Sequence, residues 1–270
     1  MKVILSHDVD HLFAKDHWMR DLIYPKLCVR SGLSALKGSI TWKECFLRMG
    51  SCFQKERNCL DAVMDFDAAH GVKSTFFFGM NQGLGMSYRP HEAKAKILAV
   101  HARGFDVGVH GICFDNEAGI QKEYDTFVDT TGLNPCGIRM HYVRFDDATF
   151  PREAKAGYAF DTTEFDKESG HTVKAPYKVQ TMWEFPLTVM DAYLPQSFEK
   201  AKEETLRILD QCEEAGLAYA TVLFHDNQFC DAYADIKNWY VWLIEYLSAS
   251  DKYEFISFGQ AINELESKHD

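Results

Sequence analysis

The sequence predicts an α/β fold, a barrel-like domain of parallel strands with outer helices, on three observations. Short β-rich runs alternate with amphipathic stretches of helical length along the 270 residues, as in strands joined by crossover helices. No linker rich in Pro, Gly or Ser divides the chain and no internal repeat is visible, so one domain spans residues 1–270. Residues able to bind metal or move protons recur just past the predicted strands, which in a parallel barrel open onto one face. A doubly wound sheet is the competing architecture. It usually announces itself by a Gly-rich first turn, whereas here the first strand runs into His7-Asp8-Val9-Asp10-His11, and this argues against nucleotide binding.

The predicted strands are Val3–Ser6, Ser74–Phe78, Phe105–Val109, Gly137–Arg139, Tyr158–Phe160, Met182–Phe185, Ala220–Phe224 and Glu254–Ile256. Helical periodicity covers Trp42–Ala69, Glu92–Arg103, Glu117–Thr130, Ser197–Glu214 and Ile236–Leu247. The stretch from Leu12 to Gly38 lacks clean periodicity and reads as a helical insertion after the first strand, at about residues 12–40, placed to form part of a lid. Cys45, Cys52 and Cys59 recur every seven residues, a spacing that would line them along one helix face.

Composition excludes several function classes. A net charge of −11 argues against a nucleic-acid partner, which requires clustered Lys and Arg. No run of ~20 apolar residues is present to span a bilayer, and the N-terminal apolar run Val3-Ile4-Leu5 is too short for a signal peptide. Eight cysteines without a C-x-x-C pair fit free thiols in a reducing compartment, so the cytoplasm is expected. No exposed apolar stripe or heptad run is expected, which sets aside a structural or interaction protein.

The chemistry concentrates at strand ends. His7, Asp8, Asp10 and His11 follow the first strand, His110 the third, Arg139 and His141 the fourth, and His225 the run Ala220–Phe224, while Asp161 and Glu184 end two others. Two carboxylates so close together in a partly enclosed place are costly unless a cation or a shared proton relieves them. In extended chain, residues two apart point the same way. Asp8 and Asp10 could therefore share the mouth, one binding a metal while the other takes a proton from water.

In this order and spacing, from His7 to about Phe258, the chain resembles the polysaccharide deacetylase family, the NodB-homology domain or carbohydrate esterase family 4. Within it, the likeness is to the Asp-x-Asp variants of surface-polysaccharide and O-antigen clusters, WbmS-like proteins among them. The residues that carry it are His7-Asp8-Val9-Asp10, Ser74–Phe78, Gly104–His110, Gly137–Tyr142, Gly157–Thr163 and Val222–His225. The resemblance implies a distorted (β/α) barrel of the NodB-homology type and a hydrolase that removes an acyl group from an amino sugar. It implies Asp8 as base, Asp10 and His110 as metal ligands, Arg139 orienting the base and His225 as acid, with a divalent metal ion, zinc foremost, as cofactor and a carbohydrate as partner.

One position departs from the family. A second ligand His is expected four residues after the first, and Phe114 stands there. Zinc in catalytic sites normally takes three protein ligands. His141 is the favoured replacement, with Asp115, His11 and His7 as alternatives. His11, Asp115, Asp161 and Glu184 are also expected to touch substrate, with orientation of His225 as the alternative role for Asp161 and Glu184. A degenerate homologue that binds a sugar without hydrolysis, and an amidohydrolase acting on a small non-sugar amide, are the rival readings.

Overall fold

The computed structural model describes residues 1–18 and 22–267. Among the described residues ten strands occur, β1 (Lys2–Val9), β2 (Thr75–Gly79), β3 (Asp106–Gly111), β4 (Gly137–Met140), β5 (Phe160–Asp161), β6 (Tyr177–Val179), β7 (Met182–Glu184), β8 (Val189–Met190), β9 (Tyr219–Leu223) and β10 (Glu254–Phe255). The helices are α1 (Ile23–Leu36), α2 (Trp42–Gly50), α3 (Leu60–Ala69), α4 (Pro90–Ala102), α5 (Glu117–Thr131), α6 (Thr149–Ala156), α7 (Phe198–Glu214), α8 (Ala234–Ser248) and α9 (Phe258–Glu266).

The strands form one sheet in the order β6-β7-β5-β4-β3-β2-β1-β9-β8, with β10 joined to the start of β1. Every pairing is parallel except β6 with β7. This is the expected α/β architecture, a mostly parallel sheet curled into a half-barrel. β1 sits at its centre and is buried from Val3 to Val9, as a parallel strand covered on both faces must be. Its first half pairs with β9 and β10 and its second half with β2, so the strand that ends at the acidic turn is gripped from both sides. All eight predicted strands occur. β6 and β8, three and two residues long, are too short to show alternation.

The long predicted helix Trp42–Ala69 is broken. α2 opens on a capping box between Thr41 and Glu44 and ends at Gly50, a residue that costs a helix interior about 1 kcal/mol. After a single tight turn at Ser51–Phe53, the chain extends to pair with the segment after β1: Phe13 bridges Glu56, and Arg57 N–H donates to the Leu12 carbonyl. The Asp226 carboxylate then accepts from the Cys59 N–H at the start of α3. The three cysteines therefore lie on α2, in the turn and at the α3 cap, and their seven-residue spacing marks no common helix face.

The insertion also differs from expectation. Residues 19–21 of it, and 268–270 at the end of the predicted domain, lie outside the described residues. The helical part is a pair, α1 packed on α2, and it extends past residue 40 to Phe53. It bears an exposed apolar stripe, which corrects the expectation of none.

Candidate metal and acid–base site

The polar ends of β1, β3, β4 and β9 meet at the C-terminal mouth of the sheet, as parallel topology requires. They line a cleft of about 250 Å³ together with Tyr142, Tyr193 and Lys167. Asp8 and Asp10, two residues apart, share this face at the end of β1, while His7, the residue before Asp8, points to the other. There His7 Nδ1 lies 2.9 Å from the Phe224 carbonyl and Nε2 3.0 Å from Asp67. Of the alternative ligands, His7 is thus engaged in the core. His11 packs edge-on against His17, and Asp115 is exposed on the loop before α5.

Asp10, His110 and His141 bring three ligand atoms together. His110 Nε2 lies 3.2 Å from Asp10 Oδ1, His141 Nδ1 lies 3.3 Å from it, and the two imidazole nitrogens are 2.9 Å apart. The far nitrogens are held by acceptors: His110 Nδ1 donates to the Arg139 carbonyl at 2.9 Å and His141 Nε2 to the Leu84 carbonyl at 3.2 Å. A carbonyl only accepts, so in a neutral imidazole the near nitrogen carries a lone pair. Two lone pairs and a carboxylate oxygen then face one another, and that oxygen, Asp10 Oδ1, is buried and accepts no hydrogen bond. Such an arrangement is repulsive unless a proton or a cation lies between. Ligand atoms around a tetrahedral zinc ion with bonds of about 2.0–2.2 Å stand roughly 3.4 Å apart, so the donor set fits a metal ion.

His141 reaches this position through an unusual turn. Tyr142 and Val143 have φ of 60° and 43°, a conformation costly for a β-branched residue and found where surroundings enforce it. The Tyr142 hydroxyl donates to the same Leu84 carbonyl at 3.1 Å. Phe114 lies against the Arg144 guanidinium instead.

The two proton-transfer candidates flank the triad. Arg139 is fully buried and donates from Nη1 to Asp8 Oδ1 at 2.9 Å, from Nη2 to Ser6 Oγ at 2.7 Å and from Nε to the Thr162 carbonyl at 3.0 Å. Burial alone would raise the Asp8 pKa, but the charges of His110, Arg139 and His225 outweigh it and hold the carboxyl below its usual range. Asp10 is held further down against the same burial, by the two imidazoles beside it. His110 is raised, desolvation being overcome by Asp8 and Asp10.

His225 has a partner that sequence reasoning missed. Its Nδ1 donates to Asp191 Oδ1 at 2.6 Å and its backbone N–H to Asp191 Oδ2 at 2.7 Å. Desolvation lowers the imidazole pKa, yet Asp191, with Asp10 and Asp8, raises it to about 10. The free Nε2 lies 3.9 Å from Asp10 Oδ2. Asp191 ends the Val189-Met190 strand, so the pattern of an apolar run closing on a carboxylate was present in the sequence, but over only two strand residues.

Asp161 and Glu184 do neither of the things expected of them. Both are fully buried behind the cleft and line no part of it. Asp161 accepts from the Thr163 hydroxyl and Glu184 from the Glu164 N–H. They interact with each other, and Asp191 takes the place beside His225.

By sequence, the chain matches no family model and no curated protein. By structure it is similar to a protein assigned as a polysaccharide deacetylase from Mycobacterium smegmatis, at 16% identity and a TM-score of 0.65, over 99% of this chain and 91% of that one. Another protein so assigned, from Pseudomonas aeruginosa PAO1, aligns at 15% identity and a TM-score of 0.59, over 79% and 74% of the two chains. A CE4-family pseudoenzyme from Bacillus anthracis aligns at 11% identity and a TM-score of 0.50, over 96% and 64%. The chain shares the polysaccharide-deacetylase fold with these proteins.

Proposed function

We propose that this protein is a metal-dependent hydrolase that removes an N-acyl group, acetyl or similar, from an amino sugar. The observation that carries this reading is the facing triad Asp10, His110 and His141, set between an ionised Asp8 and a protonated His225. Asp10, His110 and His141 would hold a divalent cation, zinc by its donor set of two imidazoles and a carboxylate, which would supply Lewis acidity and lower the pKa of water in the cleft.

The chain's own residues account for the proton movements. Asp8 Oδ1 is occupied by Arg139, while Oδ2 lies 3.6 Å from His110 Nε2 and is the oxygen to accept a proton as water adds to the acyl carbon. Arg139 fixes the carboxylate and keeps it ionised. His225, charged at neutral pH and turned by Asp191 so that Nε2 faces the cleft, gives its proton to the amide nitrogen as the C–N bond breaks. The products are a carboxylic acid and a free amine. Tyr142 and Tyr193 offer ring faces at the cleft wall against which a pyranose could rest.

A role in surface-polysaccharide or O-antigen biosynthesis, in the cytoplasm, is the pathway setting we propose, supported by the Asp-x-Asp turn and by eight free thiols. A second reading, a sugar-binding homologue without hydrolysis, is favoured by Phe114 alone. Elemental analysis of the purified protein beside an Asp10→Ala His110→Ala variant, followed by a panel of N-acyl amino sugars, separates the two. Near-stoichiometric metal lost in the variant, with amine release, supports hydrolysis. A protein that takes up no metal on titration overturns it.

A further inference from the structure

The helical pair after β1 differs from the rest of the molecule in both charge and apolarity. Residues 22–55 contain six Lys or Arg and one Glu, a net charge of +5, while the other 236 residues carry −16. On α1, which packs on α2, Tyr24, Ser31 and Ala35 are buried. The opposite stripe, Leu22, Val29, Leu33 and Leu36, is apolar and open to solvent, Val29 at 63% and Leu36 at 73% exposure. On α2 and the turn after it, Trp42, Phe46, Met49 and Phe53 form a second exposed stripe, with Phe46 at 66% and Phe53 at 83%. At 100° per residue, Lys26, Arg30 and Lys37 run along one flank of the α1 stripe and Lys43 flanks that of α2, and all four are exposed.

An apolar face of this extent on an otherwise soluble fold marks an interaction surface. We infer that the α1–α2 pair is a membrane-docking element, which lays its Leu, Val, Trp and Phe stripes into the interface of an anionic lipid bilayer with its lysines and arginine against the headgroups. Exposed Leu, Trp and Phe bordered by Lys and Arg form the composition of interfacial helices, whose binding combines buried apolar area with attraction to anionic lipid. Charge separates this occupant from a second copy of the chain. A two-fold contact brings the same patch of each copy together, and would set +5 against +5.

The same pair also borders a cavity next to the reaction cleft. Ile40, Glu44 and Arg48 face Asp191 and Gln228 across a cavity of about 250 Å³ that adjoins the catalytic one at Ala192. A protein docked in this way keeps its cleft close to the lipid surface. The inference does not depend on hydrolysis, because vesicles without substrate test it, and its failure would leave the proposed function standing.

The experiment is flotation of the full chain with vesicles of phosphatidylglycerol and phosphatidylcholine, and with phosphatidylcholine alone. It is run beside a V29S/L33S/L36S/F46S/F53S variant and an R30E/K37E/K43E variant, each checked by circular dichroism. Because the charge-reversed variant alters only exposed polar positions, it keeps the test valid if the apolar variant fails to fold. The expected result is binding to anionic vesicles, weakened about tenfold or more in either folded variant and by raised salt. Binding equal in wild type and the charge-reversed variant overturns the inference. So does failure to float with a concentration-dependent dimer in sedimentation equilibrium, which would make this face an interface between copies, and so does failure to float as a monomer.

Discussion

Asp8 and Asp10 at the end of β1, and Asp161, Glu184 and Glu153 around β5, β7 and α6, are two groups of carboxylates set in one sheet. Burial pushes all five pKa values upward, yet the groups end on opposite sides of the usual carboxylate range. Beside Asp8 and Asp10 stand Arg139 and the imidazoles of His110, His141 and His225, and both acids are held down. Behind the mouth the acids have chiefly one another. Burial raises Asp161 to about 6, and burial with the Asp161 charge lifts Glu153 and Glu184 well above their ordinary values. Both Glu153 oxygens and Glu184 Oε2 accept no hydrogen bond. Burial by itself therefore does not make a reactive carboxylate. The facing charges decide whether it stays ionised for chemistry or holds its proton within the core.

This contrast can be broken most severely at the triad. Replacing Asp10 and His110 together by Ala should abolish bound metal and lower amine release by about a thousandfold or more. Elemental analysis and turnover on one N-acyl substrate measure both, and unchanged metal content would place the ion elsewhere. Asp8→Asn should leave the metal in place and reduce kcat by ~10²–10⁴, so a variant with near-normal kcat would remove Asp8 as base.

Asp191→Asn sharpens the comparison from the other side. His225 is raised to about 10, so it stays charged well above the usual histidine range, and activity should fall only as pH rises through that raised value. Removing the carboxylate beside it should move the alkaline limb of the pH–kcat profile toward neutrality and lower kcat by roughly tenfold. A lower kcat with an unmoved limb would leave Asp191 a merely structural role.

The smallest effect belongs to the buried acids. A folded-state pKa above the unfolded value gives stability that is present at low pH and lost as pH rises through the folded value. For Asp161 this window runs from about 4 to about 6. Glu184→Gln removes the cost of holding Glu184 protonated far above its ordinary range and should raise stability at pH 8 by about 1 kcal/mol, with turnover unchanged within twofold. Urea midpoints at pH 5 and pH 8 test it. A variant less stable than wild type at pH 8 would show that burying a protonated Glu184 carries no such cost.

Much of the site was legible because a parallel sheet repeats one device. An apolar strand ends in a polar residue, and topology brings those ends together. Asp8, Asp10, His110, Arg139, His141 and His225 all follow buried runs, and the structure gathers all six. Asp191 follows the same rule but escaped notice, since two residues carry no visible period. Asp161 and Glu184 obey it as well, and yet lie behind the cleft. A strand end marks a place in the sheet and leaves depth undecided. The break inside Trp42–Ala69 was hidden for a related reason: helical periodicity persists through a segment whose backbone pairs instead with residues 12–14.

Local pattern was enough to set the parallel α/β architecture, the eight main strands and the face on which chemistry collects, because strand burial and side-chain alternation are written in neighbouring residues. The partner of each ionisable group was left to the tertiary structure. Arg139 meets Asp8 across 131 positions of the chain, and His225 meets Asp191 across 34. The same holds for the outward stripe of α1 and α2. Apolar residues at helical spacing look alike whether they face a core or a solvent boundary, and only the packed body determines which stripe is covered.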